Sequence, residues 1–214
     1  MKIKSITDLK LQNSFYQLNL IKGFKYIDKA GEIVNLYYEG NKPPNFNMGI
    51  DGLYLKSPEE YIEVLKYSSD RLWMKFDKIS TIDQVIQFIG KPINITKDIQ
   101  KVEIISRIGW RNIFLIELVN TQEVNNIENI VEIIPDTNTL SFRITHSKNE
   151  IKSVIEIELL VNKKDKNKKA LQINVDVFIQ ENIKIDDVAK RTKEIMQYFK
   201  NDFIKLINQL LREK

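Results

Sequence analysis

The 214-residue sequence predicts an α+β protein made of two related βαβββα units, with antiparallel sheets covered on one face by helices and a long C-terminal helix. Three observations predict it. Segments with apolar residues at helical spacing are interleaved with short runs that alternate apolar and polar residues. One set of helical positions recurs: Ile27, Ala30, Ile33, Val34 and Tyr37 map onto Val124, Ile127, Ile130, Val131 and Ile134, from 27 to 124 through 37 to 134. And the strands Leu140, Phe142, Ile144 against Ser141, Arg143, Thr145 alternate as a sheet with one covered and one open face requires.

In order, the first unit (1–100) begins with a β-permissive run, Leu11 to Lys22. A helix over Ile27–Tyr37 follows, with Asp28 as its expected cap and Gly40 as its end. Beyond the Pro43-Pro44-Asn45 loop come three strands, Leu53–Lys56, Tyr61–Tyr67 and Arg71–Lys78. A second helix carries Ile82, Val85, Ile86 and Ile89 and is expected to stop at Gly90 and Pro92. The second unit (101–214) repeats that order: a long strand Val102–Val119, the recurrent helix, strands Thr139–Thr145, Ile151–Val161 and Ala170–Ile179, and a helix from Asp186 to about Arg212. The stripe Val188, Ile195, Phe199, Phe203, Leu206 and Leu210 directs that last helix onto a sheet.

Composition excludes several chemistries. With 43% apolar and 29% charged residues the chain is an ordinary globular one, and its zero cysteines remove disulfides, thiolate nucleophiles and iron–sulfur clusters. A single histidine, His146, rules out multi-histidine metal sites and reads as a partly exposed turn residue. The net charge of +4 comes from 33 basic against 29 acidic residues, too mild to point to nucleic acid unless the cations cluster. No apolar run approaches the roughly 20 residues of a membrane span. The charged start Met1-Lys2-Ile3-Lys4 offers no signal core, so no membrane association and a cytoplasmic setting are expected. Gly49-x-x-Gly52 lacks the lysine and the strand-to-helix setting of a phosphate loop, and no cofactor is expected.

At Arg107-Ile108-Gly109-Trp110-Arg111 the chain resembles a sporadically distributed prokaryotic family of uncharacterised proteins, which carry an Ile-Gly-Leu-Arg-Tyr-like strand and end in a strand and a long amphipathic helix, as Ala170 to Leu211 does here. The chain departs from that pattern after Arg111, where Asn112-Ile113-Phe114 replaces Tyr followed by Asn. The resemblance implies the architecture and no activity.

The remaining candidates are surfaces. Arg71, Trp73 and Lys75 alternate with Leu72, Met74 and Phe76, and Arg107 and Arg111 share one face of their strand. Such a face can anchor a protein, because tryptophan and arginine dominate interface energetics; it can also stack bases, or Trp73 can be half-buried. Lys163, Lys164, Lys166, Lys168 and Lys169 load one connection with cations suited to phosphate contacts or simply to solubility. Glu156, Glu158 and Asp176 are the acids a Mg²⁺-dependent hydrolase would need, with Arg143 as a competing ion-pair partner. The leading expectation is a non-enzymatic interaction protein that binds a protein partner through an exposed sheet face. The alternatives are a nucleic-acid-binding protein and a metal-dependent hydrolase, and the oligomeric state stays open.

Overall fold

The computed structural model describes residues 9–22, 24–42, 46–56, 62–76, 82–118, 140–161 and 169–210. The helix expected over 124–134 and the lysines at 163, 164, 166 and 168 lie outside these residues. The strands are β1 (Lys10–Leu20), β2 (Phe46–Gly49), β3 (Gly52–Lys56), β4 (Ile62–Tyr67), β5 (Arg71–Phe76), β6 (Ile104–Leu118), β7 (Leu140–Lys148), β8 (Ile151–Val161), β9 (Lys169–Ile179) and β10 (Ile183–Lys184). The helices are α1 (Ala30–Tyr37), α2 (Ile82–Asp98), α3 (Val188–Tyr198) and α4 (Ile204–Leu210), the last two joined by a π turn, Phe199–Phe203. The protein is therefore α+β, with an antiparallel sheet and a long C-terminal helical segment. Hydrogen bonding orders the strands β2-β3-β4-β5-β1-β6-β9-β8-β7, with β10 on β6.

The chain divides into two compact units. One, here the Trp73 unit, comprises Asn13–Trp110 and Phe178–Met196; the other, the His146 unit, comprises Met1–Gln12, Arg111–Val177 and Gln197–Lys214.

In the Trp73 unit strict alternation sorts the sheet. Tyr16 and Leu18 on β1, Leu53 and Leu55 on β3, and Leu72 and Met74 on β5 are fully buried, while their neighbours face outward. The β1–β5 register sets Tyr16 opposite Met74 and Leu18 opposite Leu72. Ile33, Val34 and Tyr37 of α1, Val85, Ile89 and Ile93 of α2, and Val188 and Ile195 of α3 complete this core. Two polar pairs in it are matched: the Tyr16 hydroxyl bonds Thr192 Oγ1 at 2.7 Å, and the Trp110 indole N–H donates to Ser14 Oγ at 2.8 Å. Burial pushes the Tyr16 hydroxyl pKa up.

Three local expectations are corrected here. Asp28 does not cap α1: a 3₁₀ turn over Phe24–Tyr26 puts Lys29 at the cap position, with no side-chain cap bond, and leaves Ile27 exposed. Gly90 and Pro92 do not stop α2, which runs on to Asp98. Burial of Ile93, Ile95 and Thr96 past the proline outweighs its cost, and the Thr96 hydroxyl donates to the Pro92 carbonyl at 2.9 Å. Four strands rather than three separate α1 from α2, because Phe46–Gly49 forms β2.

In the His146 unit, Phe114 and Ile116 of β6, Ile155 and Ile157 of β8, and Ile173, Val175 and Val177 of β9 are buried with Phe199, Phe203 and Ile207 of the C-terminal segment. Phe203 stacks on Phe114 at 6.0 Å between centroids and meets Phe199 edge-on at 5.4 Å. β7 continues to Lys148, so its turn with β8 is Asn149–Glu150, where Asn149 takes φ 55°.

Candidate functional site

The outward side of the Trp73 unit's sheet carries the aromatic and basic residues that the alternation placed there. Trp73 is half-buried and stacks on Phe15 of β1, ring centroids 5.4 Å apart and 21° between planes. The β1–β5 register, with Phe15 opposite Lys75 and Gln17 opposite Trp73, makes Phe15 and Trp73 diagonal neighbours, within reach of two aromatic rings. Along the same side Gln17 Nε2 donates to Asn19 Oδ1 at 2.6 Å.

Each cation around this platform has a partner. The Lys75 ammonium pairs with Glu63 of β4. Arg71 closes on Asp70, its Nη2–H donating to Oδ2 at 2.8 Å, within a turn where the Ser68 hydroxyl donates to Asp70 Oδ1 at 2.8 Å and accepts from the Arg71 N–H. The Arg71 guanidinium, helped by Ser68, holds the Asp70 carboxyl at a pKa of about 2. Lys66 reaches Asp51 at 2.9 Å and lies 4.8 Å from the Tyr54 ring centroid.

Arg107 lies across Gly109 of the Ile-Gly-Trp-Arg sequence. Its guanidinium carbon sits 4.6 Å from the Phe178 ring centroid, and its Nη1 lies 2.5 Å from where a Cβ on Gly109 would stand. Any side chain at 109 would displace the guanidinium from the space it fills beside Phe178.

In the His146 unit, Arg111 Nε–H donates to Asn174 Oδ1 at 2.8 Å, and Asn174 Nδ2–H donates to Glu156 Oε2 at 2.7 Å. Arg143, opposite Glu156 in the β7–β8 register, approaches its carboxylate at 3.8 Å. The β9 residue that hydrogen-bonds Glu156 is Asn174. Among the described residues no group of three or more His, Asp or Glu is placed to hold a metal ion. Lys169 begins β9.

A polar constellation that sequence reading missed lies in this unit. His146 Nδ1 and the Tyr198 hydroxyl are 2.7 Å apart, and that hydroxyl is 2.8 Å from Ser153 Oγ. Ser153 is fully buried opposite His146 in the β7–β8 register. Burial pushes the Tyr198 hydroxyl pKa up, against the Ser153 hydrogen bond. One step along, Lys148 reaches both Asp202 oxygens at 2.7 and 2.9 Å from β7 to the π turn. Ser153 stands between Ile151 and Ile155 on the apolar face of β8, and that break in pattern is the one signal that could have flagged it. Asn112 of β6 is also fully buried, and neither amide atom has a hydrogen-bond partner.

No helix among the described residues is long and apolar enough to cross a membrane, which says nothing of a β-barrel. No family model matches the chain, and no curated protein matches it.

Proposed function

We propose that this chain is a non-enzymatic interaction protein that engages a protein partner through the outward sheet face of the Trp73 unit. The observation that carries the reading is the Phe15–Trp73 stack set among closed ion pairs. A phosphate chain would have to take Lys75 from Glu63 and Arg71 from Asp70 before it gained a contact. A protein partner needs only to cover the aromatic platform, with the paired charges as a polar rim that excludes water. Arg111 and the lysine-rich connection at 163–169 would serve the nucleic-acid alternative.

The proposal extends to origin and setting. The recurrence of five apolar positions 97 residues apart supports two related units derived by duplication, divided near residue 100, the first with one strand more than the βαβββα order expected of it, and kinship to the prokaryotic family suggested by Arg107–Arg111. A cysteine-free chain suits the reducing cytoplasm.

The test is capture on immobilised protein. Trp73→Ala and Phe15→Ala, both folded by circular dichroism, should lose the specific protein that the wild type retains; equal retention overturns the reading. A gel shift with single-stranded DNA that weakens steeply with salt would replace it with the nucleic-acid alternative.

A further inference from the structure

From Val188 to Leu210, α3, the π turn and α4 form one continuous helical run, and its two sides differ in character. Val188, Ile195, Phe199, Phe203 and Ile207 are buried. Lys190, Lys193, Gln197, Asn201 and Lys205, three or four residues apart, are all exposed and form a stripe on the other side, with exposed Lys200 next to Asn201.

What sets this stripe apart is its single sign. A solvated helix face ordinarily mixes acids with bases three or four residues apart, so that neighbouring charges neutralise one another. The run has two acids, and both are committed elsewhere: Glu194 accepts from Arg191 at 2.8 Å, and Asp202 accepts from Lys148 at 2.7 and 2.9 Å. Asp186, just ahead of the run, pairs with Lys97 at 2.5 Å. Lys190, Lys193, Lys200 and Lys205 have no acidic partner among the described residues, whereas Lys66, Arg71 and Lys75 around Trp73 each have one. The mild net charge of +4 thus conceals a local cluster of cations.

We propose that this helical face binds the phosphate backbone of a nucleic acid without reading its bases. This goes beyond the partner-binding face and uses none of its residues. None of the six stripe residues is apolar, so a protein partner would find no core to bury against them. The apolar side of the same run is packed inside the protein, so it is not available to insert into a lipid surface. A phosphate chain needs only what is present, ammonium groups as point charges and the Gln197 and Asn201 amides as further donors. The lysines span about 20 Å of helix axis, the reach of several phosphates. With neither arginine nor an aromatic ring among the six, the stripe holds the backbone and leaves the bases unread.

Fluorescence anisotropy of a labelled DNA duplex of about 20 base pairs, from about 20 to about 200 mM NaCl, tests this. The wild type should bind at low salt, with log K falling against log salt at a slope of about −3 to −4, as four phosphate contacts require. Lys190→Gln, Lys193→Gln, Lys200→Gln and Lys205→Gln should each reduce that slope by about 1. All four together, with unchanged far-UV circular dichroism, should abolish binding. A wild type that does not bind the duplex at the lowest salt, a fourfold variant that binds as tightly, or binding to phosphatidylserine vesicles without binding to the duplex overturns the proposal. The sheet face is tested separately: Trp73→Ala should bind the duplex as the wild type does, and binding lost there but kept by the fourfold variant would move the site to that face and overturn this one.

Discussion

β7 and β2 both end the strand order, and they manage their free edges in opposite ways. β7 is fastened and charged: His146 and Lys148 reach Tyr198 and Asp202 of the C-terminal segment, Arg143 reaches Glu156, and Ser141 and Thr145 face water. β2 carries no charge and, among the described residues, no polar tie along its length, and Phe46 and Met48 are exposed. An edge guarded by ion pairs is finished within one chain, whereas an uncharged one with exposed apolar side chains is suited to another strand.

The largest test of this contrast removes the fastening of β7. Tyr198→Ala deletes a buried ring and both of its hydrogen bonds, and should cost about 3–5 kcal/mol in urea denaturation, as large aromatic truncations do. Tyr198→Phe keeps the ring and removes the hydroxyl that bonds His146 and Ser153, while the Ser153 hydroxyl keeps the His146 carbonyl at 3.4 Å, so about 1 kcal/mol should be lost. The difference between the two variants separates packing from hydrogen bonding. Asn112→Leu probes the opposite polar case: with both amide atoms unpartnered, the apolar isostere should stabilise by about 1–2 kcal/mol, and a loss would mean that the amide has a partner.

Smaller effects belong to exposed pairs. Asp70→Asn should cost about 0.5 kcal/mol near neutral pH, because the Asp70 side chain is 61% exposed and solvent screens its pairing with Arg71. The Asp70 carboxyl is held at about 2 in the fold against an ordinary 3.8. Its contribution is therefore complete above the ordinary value and disappears as pH falls through about 2, so wild type and variant should converge in acid. Smallest of all, Phe46→Ala should leave stability within about 0.5 kcal/mol in dilute solution, since its side chain lies open in the single chain.

Much of the architecture was legible. Alternation located β3, β4, β5, β8 and β9 nearly to the residue and set Leu72, Met74 and Phe76 on one face and Trp73 on the other, and the structure covers the former. β2 was not legible, because four residues containing Asn and Gly carry little strand preference; its partner β3 supplies the reason it forms. The passage of α2 through Pro92 was hidden because local propensity argues for a stop, and burial beyond the proline overrides it. In the candidate face, Trp73, Lys75 and Arg71 were visible as a set, but Phe15 and Glu63 were not, because their pairing depends on registers between strands distant in sequence.

By itself the sequence determined an α+β chain, the two alternating faces of several strands, and a chemistry without thiols or histidine clusters, because periodicity and residue type are local properties. Tertiary structure alone decided that the basic residues flanking Trp73 are already partnered, that His146 is tied to Tyr198 and through it to Ser153, and that among the described residues β2 pairs on one side only. Each of these follows from which strands lie side by side, and hydrogen bonds between distant segments set that order.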